Sequence, residues 1–250
     1  MMTCTCKNDS QLHKPTTSKL SESKHLQAID TVSAGECCYV AGTTIHTKDG
    51  TKPIEHIEIG DLVLTQQVEG GEKAYAPVIK TSRTDNAVVW SLFYLPTSAT
   101  EEAKRTKTLV QASAYRRLTL TPDHRLWVLG KGWLQVQQLD FDADVLQLAS
   151  GDTAGIVQVS PLYLSDTDGM GWQQGIFDET SGQLIDLRNG ASGELDVFRL
   201  KEHQPGSVEL WDEASYFRCA VFNLELESKH TYFVGELGVW SQDSSCGDTL

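Results

Sequence analysis

The stretch CYVAGTTIHTKDGTKPIEHIEIGDLVL (38–64) decides the fold. Its β-prone residues come in short runs, each cut by a turn. Tyr39 to His46 forms one run and ends at Thr47-Lys48-Asp49-Gly50, where Asp-Gly is a strong hairpin signal. Ile54, Ile57 and Ile59 lead into Gly60-Asp61 and a strand at Leu62-Val63-Leu64-Thr65. Downstream the same texture continues. Tyr75–Ser82 and Val88–Leu95 are expected strands, and Arg117–Thr121 alternates cleanly. Leu126–Leu129 turns through Gly130-Lys131-Gly132 into Trp133–Val136. Cys219–Leu226, a turn at Ser228-Lys229, Thr231–Val234 and Leu237–Trp240 close the pattern. Strands this short and closely spaced predict an all-β domain rather than a βαβ sheet. An internal echo, Ile57–Val63 against Leu139–Val145, is what a duplicated half-domain would leave, although the second copy lacks the glycine.

Composition narrows the function. With 250 residues the chain suits one or two domains with a full core. A formal net charge of -13 argues against nucleic acid or an anionic membrane as the main partner. No apolar run is long enough to span a bilayer, and MMTCTCKNDS lacks the apolar core of a signal peptide. The compartment stays open between the cytoplasm and export with a larger system. Six cysteines are too few for a disulfide scaffold, and Cys4-Thr5-Cys6 is a weak metal hint, so neither metal nor cofactor is expected. Residues 1–36 are polar and weakly periodic, expected as a flexible segment with a short helix around Leu20–Ala28. Residues from about 150 to 215 are acidic and rich in Gly and Ser, which suggests an insertion of hairpins between core strands.

Three short pieces carry chemistry. Cys37-Cys38 places a thiol at the entrance to a strand. Thr121-Pro122-Asp123-His124 fits a type I turn with Pro in its second position, which brings Thr and His to one side, where both could contact the amide before the thiol. His230-Thr231-Tyr232-Phe233-Val234-Gly235 lies near the C-terminus. Each has a plainer alternative: a buried small apolar cysteine, a turn with a surface histidine, and a histidine capping a hairpin.

Taken together, CYVAGTTIHTKDGTKPIEHIEIGDLVL (38–64), LTLTPDHRLWVLGKGWLQVQQL (118–139) and VFNLELESKHTYFVGELGVW (221–240) resemble the blocks of the Hint (hedgehog/intein) superfamily, in that family's order. They look most like the bacterial intein-like and pretoxin Hint domains of polymorphic toxins. The resemblance implies an all-β horseshoe of two pseudo-symmetric halves over residues 37–243, with the β-rich insertion at about 150–215 and a tail at 244–250. It implies that Cys38 attacks the carbonyl of its own upstream peptide bond, an N-to-S acyl shift that gives a thioester and cleaves Cys37–Cys38. Thr121 would donate a hydrogen bond that polarises this bond, and His124 would protonate the departing nitrogen. His230 would assist later steps. Asn223 stands where many inteins carry an activating Asp.

One departure matters. Splicing members end in His-Asn, and here the matching pair is Gln242-Asp243, followed by Ser244. A carboxylate forms a succinimide poorly, so N-terminal cleavage is expected, slow cleavage after Asp243 stays open, and full splicing is not expected. The substrate is then the chain's own flanking polypeptide, within a toxin or secreted parent protein. The main alternative is a degenerate Hint fold kept as a linker or interaction module, and a cysteine hydrolase acting in trans is a third reading.

Overall fold

The turns separating the β-prone runs are short, so successive strands lie antiparallel and side by side. In the structure, a computed structural model, residues 37–67, 69–175, 182–188, 190 and 212–243 are described. The helix expected around Leu20–Ala28 and the tail at 244–250 lie outside the described residues. The first half holds β1 (Tyr39–Val40), β2 (Thr44–Thr47), β3 (Gly50–Pro53), β4 (Leu62–Gln66), β5 (Lys73–Val88) and β6 (Trp90–Pro96). A helix α1 (Thr97–Thr106) follows. Then come β7 (Arg116–Leu120), β8 (Arg125–Val128), β9 (Gly132–Gln135), β10 (Val145–Gln147) and β11 (Thr153–Pro161). A separate hairpin, β12 (Met170–Gln174) with β13 (Gly182–Asp186), precedes β14 (Arg218–Leu226), β15 (Thr231–Val234) and β16 (Val239–Gln242).

The main sheet runs β10-β11-β6-β7-β1-β14-β5-β4-β2-β15-β16-β8, and β8 returns to β10 through Leu146 opposite Val128. This circuit is closed, so its strands have paired neighbours on both sides and few exposed edges. Alternating residues fill the interior: Ile45, Leu92, Leu120, Leu126, Val128, Leu146, Tyr232, Val234 and Val239 share one core. A smaller core of Cys38, Val40, Val89, Leu162, Ile185, Phe217 and Val221 lies on the other face, with Ile185 supplied by the β12–β13 hairpin.

The internal echo is a structural repeat. The unit β2–β3, a 3-10 turn at Ile54–His56 and β4 is matched by β8–β9, a 3-10 turn at Val136–Gln138 and β10. Ile54 and Ile57 are buried in one copy, Val136 and Leu139 in the other. Asp61 accepts from the Glu58 amide at 2.9 Å and pairs with Lys52 at 2.8 Å, while Asp144 accepts from the Asp140 amide at 2.9 Å and pairs with Lys131 at 2.6 Å. Tyr39 faces Leu120 where the two halves meet.

Several elements differ from expectation. Tyr39–His46 is two strands, because the chain turns at Ala41-Gly42 with Gly42 at φ 77°, a conformation that suits glycine. The strand expected at Tyr75–Ser82 extends to 16 residues, kept paired with β14 by two register shifts. Helix α1 has no apolar stripe to announce it, but Thr97–Thr106 is rich in helix formers and follows Pro96. Thr153–Pro161, grouped by composition with the insertion, is a strand of the main circuit, so the departure from that circuit begins after Pro161.

Candidate active site

Strand β1 is only two residues long, wedged between β7 and β14, with Tyr39 opposite both Leu120 and Phe222. Side-chain alternation sends Tyr39 into the ring core and Cys38 to the opposite face, where it is fully buried. The Cys38 amide, the nitrogen of the Cys37–Cys38 bond, donates to Thr121 Oγ1 at 3.0 Å, and the Thr121 amide donates to the Cys38 carbonyl at 3.0 Å. Thr121 therefore meets the bond, with its role reversed from the one expected. An acceptor on the amide hydrogen favours the planar resonance form, so this contact orients the bond without weakening it. The Cys37 thiol donates to the Asp123 carbonyl at 3.6 Å.

The Thr121–His124 turn forms as expected, closed by His124 N–H to Thr121 O at 3.2 Å. Its histidine is not on the surface. His124 is fully buried, packed against the Tyr39 ring with centroids 4.2 Å apart. Its Nε2 lies 2.6 Å from Ser241 Oγ, and Ser241 Oγ lies 2.6 Å from the Tyr39 hydroxyl. Burial lowers the His124 pKa to about 3, and the neighbouring Cys37 and Gln242 main-chain groups offset only part of this. The imidazole is thus neutral at ordinary pH. Ser241 Oγ joins the Tyr39 phenol to His124 Nε2 and also donates to the Gln242 carbonyl at 3.5 Å. His124 Nδ1 makes no well-aligned hydrogen bond although the Cys37 backbone group is close by.

The C-terminal elements form a second cluster. His230 adopts φ 50° at the β14–β15 turn, a left-handed conformation uncommon outside glycine. Its Nδ1 lies 3.3 Å from Asp243 Oδ2, with the imidazole half exposed and the carboxylate buried. The same oxygen accepts from the Leu226 amide at 3.3 Å. Tyr232 links the two clusters. Its phenol donates to Asn223 Oδ1 at 3.1 Å, and burial, then Tyr39, Asp243, Cys38 and Cys37, raise its pKa. Asn223 is not at a strand edge, since β14 runs between β1 and β5. Thr121 thus meets the Cys38 amide and His124 lies beside the Cys37 main chain, so both reach the same peptide bond, while the Cys38 side chain lies on the face opposite Tyr39 and His124. His230 and Asp243 are brought together as well, and the two histidines belong to separate clusters around β16. Sequence reasoning missed Ser241, Tyr39 and Tyr232. A lone serine at the inward position of the apolar strand Val239-Trp240-Ser241 was the available signal. Among the described residues no His, Cys, Asp or Glu group of three or more is arranged to hold a metal ion, and no helix is long and apolar enough to cross a membrane.

An all-β circuit whose N-terminal cysteine strand and last strand meet around one buried histidine defines a domain of intein-like architecture. The chain belongs to the Hint domain family, whose model matches residues 37–161, half of its length. Among solved structures, the bacterial intein-like domain from Clostridium thermocellum is 19% identical with a TM-score of 0.50, over 84% of this chain and 100% of that one. The DnaB intein from Synechocystis is 12% identical with a TM-score of 0.48, over 84% of this chain and 99% of that one. At such identities the likeness is one of fold. No curated protein sequence matches the chain.

Proposed function

We propose that the domain acts once on its own backbone, converting the Cys37–Cys38 amide to a thioester on Cys38. The Cys38 sulfur bonds to the Cys37 carbonyl carbon, the carbon–nitrogen bond breaks, and the proton the thiol gives up ends on the departing amide nitrogen by way of the neutral His124 beside the Cys37 main chain. A neutral imidazole suits this order, because it must take a proton before it can give one. Holding thiol and carbonyl in one chain supplies proximity worth up to about 7–11 kcal/mol in well-oriented cases. Thr121 keeps the nitrogen in place until it becomes tetrahedral and no longer needs a planar partner. His230 and Asp243 serve the opposite end, where the carboxylate supports at most slow cleavage before Ser244. The substrate is the flanking polypeptide, and the block order supports a toxin or secreted bacterial parent.

The observation that carries this reading is the contact of Thr121 with the amide nitrogen of Cys38, beside a buried, neutral His124. Mass analysis of the purified full chain with and without dithiothreitol tests it. Residues 1–37 should be released in dithiothreitol, Cys38→Ala should abolish release, and Cys37→Ala should spare it. An unchanged mass over days would favour the second reading, a silent Hint fold used as a linker or interaction module. The Gln242-Asp243 pair and a ground-state contact that favours amide planarity support that alternative.

A further inference from the structure

The Cys38 side chain shares its small core with Val40, Val89, Leu162, Ile185, Phe217 and Val221, and none of its surface is exposed. Val40 and Val221 lie in β1 and β14, which the closed circuit holds by ladders on both sides. Ile185 has a different footing. It belongs to β13, whose hairpin with β12 is a two-stranded sheet of its own. The hairpin backbone is joined to the chain before it through Tyr163, which exchanges two bonds of 2.8 Å with Trp172.

Ile185 stands opposite Gly171, so alternation puts Gly171, Gln173 and Ile185 on one face of the hairpin. A Cβ on Gly171 would lie 3.0 Å from Leu162 Cδ1, and its absence lets this face settle onto the small core. Gln173, on the same face, is fully buried. Its Oε1 accepts from Ser91 Oγ at 3.2 Å and from Arg117 Nη2 at 3.3 Å, and its amide donates to Ser160 Oγ at 3.3 Å. One glutamine thereby fastens the hairpin to three neighbouring strands of the circuit, β6, β7 and β11. All three bonds are between side chains, and water can replace each of them. The apolar contribution is Ile185, with the partly buried Leu187 just beyond β13. Lifting the hairpin therefore breaks no ladder of the main sheet.

We infer that the β12–β13 hairpin is a lid over the Cys38 sulfur, and that its opening controls when an acyl group on that sulfur meets an outside nucleophile. The second half rests on the thioester reading above. Forming the thioester needs only groups of the chain itself and proceeds under the closed lid. Resolving it needs water or a small thiol. That nucleophile bonds to the Cys37 carbonyl carbon, the carbon–sulfur bond breaks, and the nucleophile's proton ends on the Cys38 sulfur. With the hairpin seated, Cys38 has no exposed surface and Cys37 is 7% exposed. The acyl group is thus kept from hydrolysis until the hairpin lifts.

Iodoacetamide labelling of Cys38 in the full chain, read by tandem mass spectrometry of the peptide holding residues 37 and 38, tests the lid without calling on acyl chemistry. Global unfolding is followed in parallel through the Trp127, Trp133 and Trp240 cluster. At low urea the parent chain should label at least about tenfold faster than global unfolding allows, with a rate that hardly changes with denaturant, because a lifting hairpin exposes little surface. Ile185→Ala should speed labelling about thirtyfold, the low end for such a truncation in a core. Val63→Ala, in the ring core, should leave the low-urea rate within about twofold, since that core stays closed when the hairpin lifts. Release of residues 1–37 by dithiothreitol should rise with labelling in Ile185→Ala. Labelling of the parent chain with the rate and urea slope of global unfolding would overturn the lid and leave the thioester reading standing. Faster labelling with unchanged release would overturn the hairpin's control of the acyl group. Labelling through a local opening, with no release from any chain, would uphold the lid and overturn the thioester reading.

Discussion

Ser241→Ala removes one hydroxyl and leaves two buried groups stranded. The Tyr39 phenol and the His124 Nε2 each lie 2.6 Å from Ser241 Oγ, on residues with no exposed surface. A buried polar group left unpaired costs about 1–3 kcal/mol, so the pair predicts a loss of about 2–6 kcal/mol. For a folded unit of this size each kcal/mol moves Tm by about 2–4 °C, and a drop of at least about 4 °C is expected. Urea or heat unfolding followed through the Trp127, Trp133 and Trp240 cluster measures it. Release of residues 1–37 in dithiothreitol should slow by at least tenfold, because the imidazole loses the hydroxyl contact that holds its ring in place. Ser241→Thr keeps the hydroxyl and should recover part of both effects. A Ser241→Ala chain within 1–2 °C of the parent (far below the ~4 °C floor), releasing its N-terminal segment at a comparable rate, would refute the relay.

Three further outcomes follow from the same contacts. His124 has a folded pKa of about 3 against 6.5 unfolded, so below pH 6.5 the unfolded chain binds a proton that the folded chain refuses. Stability should therefore fall as pH drops from 6.5 toward 3, by up to about 1.4 kcal/mol per pH unit from this group, and His124→Gln should flatten that part of a urea-midpoint series. Lys131→Met should lower the urea midpoint more than Lys52→Met, since Asp144 is 1% exposed and Asp61 is 29% exposed; equal losses would count against the buried pair as a support of the repeat. Asp243→Asn supplies the amide that succinimide formation needs and should release residues 244–250 detectably by mass, more so with Gln242→His; an intact C-terminus in both would show that β16 does not present this bond for cleavage.

The block order made the fold legible, because each block is a strand pair bounded by a turn whose residues permit few alternatives. The repeat could be read from Ile57–Val63 and Leu139–Val145 since both copies must bury the same side chains and hold an aspartate at the same bend. Helix α1 was not legible, as its stability comes from Ala, Glu, Lys and Arg propensities rather than from an apolar face. Cys38, Thr121 and His124 stand out as candidates by motif, but the direction of the Thr121 hydrogen bond depends on register across β1 and β7. Ser241 was invisible for a related reason. Its contact is with a residue 117 positions away, and nothing local marks a serine that meets a distant imidazole.

The repeat also explains why a buried imidazole sits at only one of two equivalent turns. Val40–Thr43 and Thr121–His124 occupy matched places, each closed by an amide from its fourth residue to the carbonyl of its first, at 3.3 Å and 3.2 Å. In the first turn Thr43 Oγ1 donates to the Val40 carbonyl at 2.8 Å, so its one polar group is satisfied within four residues. In the second, an imidazole too large for such closure enters the core and must find a partner elsewhere. That partner comes from β16, which pairs with β8 through Ser241 opposite Leu126. The Thr43 turn is complete as soon as its own hairpin forms. The His124 turn is complete only when the last strand closes the circuit, so its hydrogen bond to Ser241 depends on the whole domain having folded.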